Sequence, residues 1–323
     1  MRPEMTSGRP AAVPAPGRMD ARHVGHEFAP FVVQADAWRL RLFAKATGQL
    51  DLVYTSATVA MAAGHPALPL PPTFLACLET DAPEPTALLT LLGLDPRQRL
   101  LHAEQGFVYH RMAYCGDRLC FRQRLDEVYD KKGGALQFAV RSTRVTNLRD
   151  ELVAELRCVL VAVHAAGPAP AVTASTGSTG SQDDVAQEAA PPALPTLETA
   201  PITRFDLALY ACASGDHNPV HLDSDFAREA GFDDVFAHGM LVMAQAARGL
   251  TNWAPQGRLR ALQLRFQCIT QVGDRLRCEA RITDQSTDHS EPAGAVLLNI
   301  ALAVRDVRGI VKASGQASVT ANR

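Results

Sequence analysis

Two stretches of this 323-residue chain repeat one another, and that repetition restricts its folds more than any single motif does. With a shift of 167, Phe43 to Tyr54 (FAKATGQLDLVY) lies over Tyr210 to His221 (YACASGDHNPVH), pairing Phe43 with Tyr210, Thr47 with Ser214 and Gly48 with Gly215. The same shift sets Ala63-Gly64 on Ala230-Gly231 and Pro71-Pro72 on His238-Gly239. Further on the shift becomes 157, and GDRL at 116–119 lies over GDRL at 273–276. Several matches in one order, with one change of offset, indicate a duplicated domain. Where the second copy has Asp216 and His221 the first has Gln49 and Tyr54, so chemistry that needs an acid and an imidazole here belongs to the second copy alone.

Composition divides the chain accordingly. Residues 165–200 are rich in Ala, Pro, Ser, Thr and Gly with few large apolar side chains, which predicts a flexible linker. Residues 1–22 mix prolines with arginines and predict a disordered leader, with a transit peptide or a start at Met19 as the other readings. That leaves a first domain at 23–164 and a second at 201–323. A net charge of −2 gives no general reason to expect nucleic acid or an anionic membrane as partner. No apolar run reaches the roughly 18 to 20 residues that span a bilayer, and the N-terminus lacks the apolar core of a secretory signal, so the expected location is cytoplasmic. Seven cysteines, odd in number and without a C-x-x-C pair, predict reduced and mostly buried thiols rather than a disulfide framework or zinc site.

Each copy reads as helices first and strands afterwards. In the second, Thr203 with Asp206 three residues on predicts a capped helix start, the apolar stretch that follows ends at Gly215, and a further helix is expected over 240–250. Alternating segments then predict strands around 261–268, 275–282, 295–304 and 309–319. In the first copy strands are expected at 105–111, 117–129, 134–145 and 151–164. The expected fold class is α+β, a long helix wrapped by an antiparallel sheet in each copy.

The string Y-x-x-x-S-G-D-x-N-P-x-H-x-D at 210–223, followed by A-H-G-M at 237–240, resembles the MaoC-like family of (R)-specific enoyl-CoA hydratases and 3-hydroxyacyl-thioester dehydratases. The first copy, with PPTF at 71–74 and GDRL at 116–119, resembles the degenerate N-terminal domain of the same group. The resemblance covers about residues 23–164 and 201–323. It implies a double hot-dog fold in which one half keeps the catalytic pair and the other shapes the acyl tunnel. It also implies an acyl-CoA or acyl-carrier-protein thioester as partner, no cofactor and no metal. The paired halves would form a pseudo-dimer within one chain, with a homodimer also possible.

The residues support that chemistry on their own terms. Hydrating an enoyl thioester needs a base for water, a proton for the α carbon and a donor to the thioester oxygen. His221 is the expected base, because imidazole titrates near neutrality, and Asp216 is expected to hold the water. Gly239, at the start of a helix, is the expected backbone N–H donor, as the resemblance also implies. Asn218 and His238 are candidate substrate-positioning residues, although a turn role for Asn218 and a packing or backbone-bonding role for His238 are the plainer readings. Gly273-Asp274 recurs in both copies and reads as a turn. Two alternatives stay open: a hydratase for a short branched or dicarboxylic acyl-CoA of the mesaconyl type, and a non-catalytic acyl-thioester-binding protein.

Overall fold

The computed structural model describes residues 18–94, 100–163, 193–288 and 295–321. The first half contributes β1 (Phe31–Gln34), helices α1 (Ala37–Ala46), α2 (Ala57–Ala62), α3 (Phe74–Glu79) and α4 (Ala87–Leu91), then β2 (Leu100–Tyr109), β3 (Arg118–Lys131), β4 (Leu136–Asn147) and β5 (Leu152–Val163). The second repeats the order with β6 (Leu197–Glu198), α5 (Arg204–Ser214), α6 (Ser224–Glu229), α7 (Gly239–Trp253), β7 (Leu259–Phe266), β8 (Leu276–Asp288), β9 (Ala295–Asp306) and β10 (Val311–Thr320). All eight long strands expected from the sequence are present, with bounds up to six residues from those expected.

The strands form one antiparallel sheet in the order β1-β3-β4-β5-β2-β7-β10-β9-β8-β6. Its two halves are mirror sequences of equivalent strands that meet at β2 and β7. Across this seam Gly106 faces Gln263, Glu104 faces Arg265 and Val108 faces Ala261. Gly106 and Gln263 are related by the offset of 157 that aligns the two GDRL motifs, so the seam lies on a pseudo-two-fold axis. A continuous ten-stranded sheet leaves neither domain a free edge at the join. The equivalent helices α1 and α5 pack together, the equivalent rings of Phe43 and Tyr210 standing with centroids 6.0 Å apart. One apolar core holds residues of both halves, among them Phe43, Phe74, Leu119, Tyr210, Met243 and Leu264.

Three expectations need correction. The long central helix exists only in the second half. There α7 runs fifteen residues with Met240 to Ala247 buried, whereas its counterpart α3 runs six and ends at Glu79. Pro83 and Pro85 follow, and neither proline nor the residue before it favours continuing a helix. Residues 18–22, assigned by composition to the leader, are ordered: Met19 is buried against Leu92 and Leu125, its N–H donates to Gln137 Oε1 at 2.7 Å, and Arg18 bonds the Gly134 carbonyl. At the other boundary the last residues of the expected linker join the sheet, Ala193 bridging Arg281 and Leu197 pairing with Cys278. The rest of the expected leader and linker lies outside the described residues. All seven cysteines are free, and Cys212 alone of them is exposed.

Candidate active site

The acid and the imidazole reach one another through a turn that the local sequence specifies. Thr203 and Asp206 form the expected capping box at the start of α5. The helix stops at Gly215 in the left-handed conformation, φ 78°. A side chain there would also meet Thr80 Oγ1 at 2.2 Å, so both backbone and space demand glycine. Asp216 Oδ1 then accepts from the Asn218 amide at 3.2 Å, and Asn218 Oδ1 from the Val220 amide at 3.3 Å. Pro219 opens the single 3₁₀ turn Pro219–His221 that carries the imidazole inward. The first copy builds the same turn, with Gln49 Oε1 accepting from Asp51 N and Asp51 Oδ1 from Val53 N. Asn218 therefore serves the turn, as its counterpart Asp51 does where Gln49 and Tyr54 replace the acid and the imidazole.

His221 is buried, and its Nδ1 donates to the Phe236 carbonyl at 2.8 Å. A carbonyl only accepts, so Nδ1 carries the proton and Nε2 of the neutral ring keeps its lone pair. Burial holds the imidazole below its ordinary titration range, against the opposing pull of Asp216 and the Phe236 carbonyl. His238 lies beside it, ring centroids 3.9 Å apart. Its Nε2 donates to the Asp216 backbone carbonyl at 3.1 Å. Burial, followed by its neighbour His221, pushes His238 down to about 3, so it is neutral at physiological pH. Its Nδ1 is buried with no acceptor or donor among the described residues. The expected backbone-bonding role for His238 is met, on Asp216 rather than beside Gly239.

Asp216, His221 and His238 each bring one ligand-type atom to within 4.8 Å of the others. One water hydrogen-bonded at about 2.8 Å to each would span such a group. Gly239 is the first residue of α7, so its amide has no acceptor within the helix and shares the positive end of the helix dipole. A Cβ here would lie 3.1 Å from the Phe266 ring, close enough that the ring would have to shift by a few tenths of an ångström. In the silent half Pro72 takes the equivalent place and has no N–H to offer; its carbonyl accepts from Tyr109 Oη at 2.8 Å.

Asp216, Asn218, His221, Gly239 and Phe266 line a cavity of about 410 Å³. A second cavity of about 710 Å³ runs beneath the loop that replaces the missing length of α3, and it shares Asp216, Asn218, Met240 and His102 with the first. Asp216 thus borders both cavities. Sequence reasoning missed the residues that the silent half contributes here. Arg39 on α1 donates to the Ala213 and Ser214 carbonyls at 2.7 and 3.0 Å and to the Cys77 carbonyl at 2.7 Å, clamping the end of α5 just before Gly215. His102 stands edge-on to Phe266 with centroids 5.2 Å apart. No local pattern marks either residue, since each acts on a segment more than 160 positions away. Gly273-Asp274 is the expected turn, Asp274 accepting from Gln271 N as Asp117 does from Tyr114 N. Among the described residues no helix is long and apolar enough to cross a membrane.

Comparison with known proteins places this arrangement. Residues 22–156 match the family model of the FAS1-like dehydratase domain region, and residues 188–300 match that of the MaoC-like domain. A UPF0336 protein of Parafrankia sp. (strain EAN1pec) is 36% identical over 142 residues, 43% of this chain and 89% of that protein. The mitochondrial 3-hydroxyacyl-(acyl-carrier-protein) dehydratase of Arabidopsis thaliana is 34% identical over 79 residues, 24% of this chain and 48% of that one. Among solved structures, a MaoC-like dehydratase superposes with a TM-score of 0.74 at 21% identity, covering 93% of this chain and 98% of its own. A Mycobacterium tuberculosis protein described as having a double hot-dog fold superposes at 0.62 and 14% identity, covering 92% and 96%.

Proposed function

The chain belongs to the MaoC-like dehydratase family and has its double hot-dog fold, and from that premise we propose that it catalyses reversible syn hydration of trans-2-enoyl thioesters, equally dehydration of (R)-3-hydroxyacyl thioesters. The substrate is carried on coenzyme A or acyl carrier protein. One observation supports the reading: the Phe236 carbonyl fixes His221 as the tautomer whose Nε2 keeps its lone pair, clustered with Asp216 near the first residue of α7, Gly239.

The reaction follows from these groups. Asp216 and His221 hold a water against the β carbon. Nε2 of His221 takes one proton as the water oxygen bonds to that carbon, and the same proton returns to the α carbon on the same face, which makes the addition syn. Negative charge developing on the thioester oxygen is met by the Gly239 N–H and the helix dipole; a donor of this kind typically contributes about 3 kcal/mol to the transition state. His238, neutral and bonded to the Asp216 carbonyl, positions the acid rather than exchanging protons. The first half has neither pair nor donor at the equivalent place and closes the cavity from the other side.

The test is loss of the enoyl absorbance of crotonyl-CoA, followed with wild type and His221→Ala side by side. Decay with wild type and none with the variant supports the reading. Equal decay with both overturns it, and no decay with any enoyl thioester across short, long, branched and carrier-linked acyl groups leaves a thioester-binding protein instead.

A further inference from the structure

The side chains gathered at the water site make a ligand set as well as an acid and a base. Asp216, His221 and His238 each bring one ligand-type atom to within 4.8 Å of the others, and both imidazoles are buried. Each ring is held by a backbone carbonyl. His221 donates Nδ1–H to Phe236 at 2.8 Å and His238 donates Nε2–H to Asp216 at 3.1 Å, so each ring keeps the lone pair of its other nitrogen. A histidine that ligates a metal almost always gives its second ring N–H to such a partner, because the bond fixes the tautomer and orients the ring. Hydration chemistry uses the carboxylate and the His221 lone pair; it gives none to His238, whose Nδ1 is buried with no partner among the described residues. Nor does a lysine or arginine among them pair with the Asp216 carboxylate. Arg39, which clamps the carbonyls just before it, pairs with Asp81.

The donor set selects the ion. Two neutral imidazoles and one carboxylate suit zinc and its neighbours in the first transition row, whereas magnesium and calcium take oxygen ligands and water. Three protein ligands with a fourth position left to water make an open zinc site. Ligand atoms in a tetrahedral shell with bonds of roughly 2.1 Å stand about 3.4 Å apart, so binding draws the three together by no more than about 1.4 Å. Asp216 and His221 line the 410 Å³ cavity, so an ion reaches them by the route that water takes. Once there it would occupy the His221 Nε2 lone pair that must receive the water's proton.

We propose that Asp216, His221 and His238 together bind a zinc ion, and that this ion reversibly inhibits hydration by taking the place of the reacting water. The inhibition rests on the thioester reading above; the binding does not. The ion is no cofactor of the reaction, since it occupies the base on which the reaction depends.

The experiment is calorimetric titration of zinc chloride into the whole chain after dialysis against a chelator, with magnesium chloride as the comparison. One zinc ion per chain is expected, bound about ten-fold or more weakly in Asp216→Asn and in His238→Ala, with no saturable binding of magnesium. Asp216→Asn keeps an oxygen for the Asn218 amide and so removes the ligand charge without removing the turn. Cobalt(II) in place of zinc should show the visible bands of a nitrogen and oxygen shell. Absence of zinc binding overturns the proposal, as does equal binding in the folded variants, or the intense near-ultraviolet band of cobalt on thiolate, which would place the ion on a cysteine. Crotonyl-CoA hydration on the same preparations should slow with zinc and recover with chelator; zinc that binds these three residues and leaves the rate unchanged, or raises it, overturns the inhibition. Zinc binding without hydration of any enoyl thioester sinks the reaction and leaves the metal site, and hydration without zinc binding does the reverse.

Discussion

Nδ1 of His221 lies 2.8 Å from the carbonyl oxygen of Phe236, fifteen residues downstream at the approach to α7. The bond fixes which nitrogen is basic, and the burial that comes with it depresses protonation of the ring. The midpoint of the acid limb of kcat/KM is therefore expected below pH 6.5. A pH profile of wild type checks this; an acid limb at or above 6.5 contradicts the assigned base.

The same two imidazoles set a stability trend. His221 and His238 both titrate lower in the folded chain than the roughly 6.5 of an unfolded histidine, His238 at about 3. Between those limits the unfolded chain binds more protons, so their contribution to stability is complete above pH 6.5 and is lost as pH falls towards 3. Urea midpoints measured from pH 7.5 to 4.5 should fall on the acid side, and His238→Gln should flatten part of that slope.

Gly239→Ala brings a methyl carbon to about the 3.1 Å at which an added Cβ meets the Phe266 ring. Overpacking of this kind costs roughly 1–3 kcal/mol. The single variant is expected to melt earlier and lose activity, and Gly239→Ala/Phe266→Leu to regain the melting temperature. Recovery of stability without recovery of activity assigns the glycine to the reaction as well as to packing.

Arg39→Ala removes the donors that hold the Ala213 and Ser214 carbonyls. Charge-assisted bonds of this type contribute about 1.5–3 kcal/mol each at most. Turnover should fall through misplacement of Asp216, with KM less affected, although Arg39 touches no reacting atom. An unchanged kcat in a folded Arg39→Ala protein counts against a positioning role.

Lys312 Nζ is buried 2.7 Å from Asp274 and 3.4 Å from Asp306, where the carboxylate of Asp306 has no exposure. Leaving such a carboxylate short of its cation costs about 3–5 kcal/mol. Arg308, 2.8 Å from Asp306 and more than half exposed, compensates only in part. Lys312→Met should lower the melting temperature sharply, and Lys312→Met/Asp306→Asn should restore part of it.

The duplication, the α+β class and the strand order within each half were legible because they are local or periodic: alternation marks β2 to β5 and β7 to β10, and Thr203 with Asp206 marks the start of α5. So was the pair Asp216 and His221, because Gly215, Asn218 and Pro219 build the turn that presents it from contiguous sequence. The seam itself came from the structure: many pairs obey the offset of 157, and only the pairing of β2 with β7 puts Gly106 and Gln263 on the axis. What the amino-acid order could not disclose is what depends on segments distant along the chain. Phe236 sets the tautomer of His221, the Phe266 ring crowds Gly239, Arg39 clamps the end of α5, and His102 and Arg141 line the larger cavity from the first half. The length of α3 is a different case, since Pro83 and Pro85 mark its limit locally and the expectation of a long helix in the first copy passed over them. Local backbone preference acts between near neighbours and is written in the sequence; burial, desolvation and ligand-facing contacts arise only when the two halves close on one another.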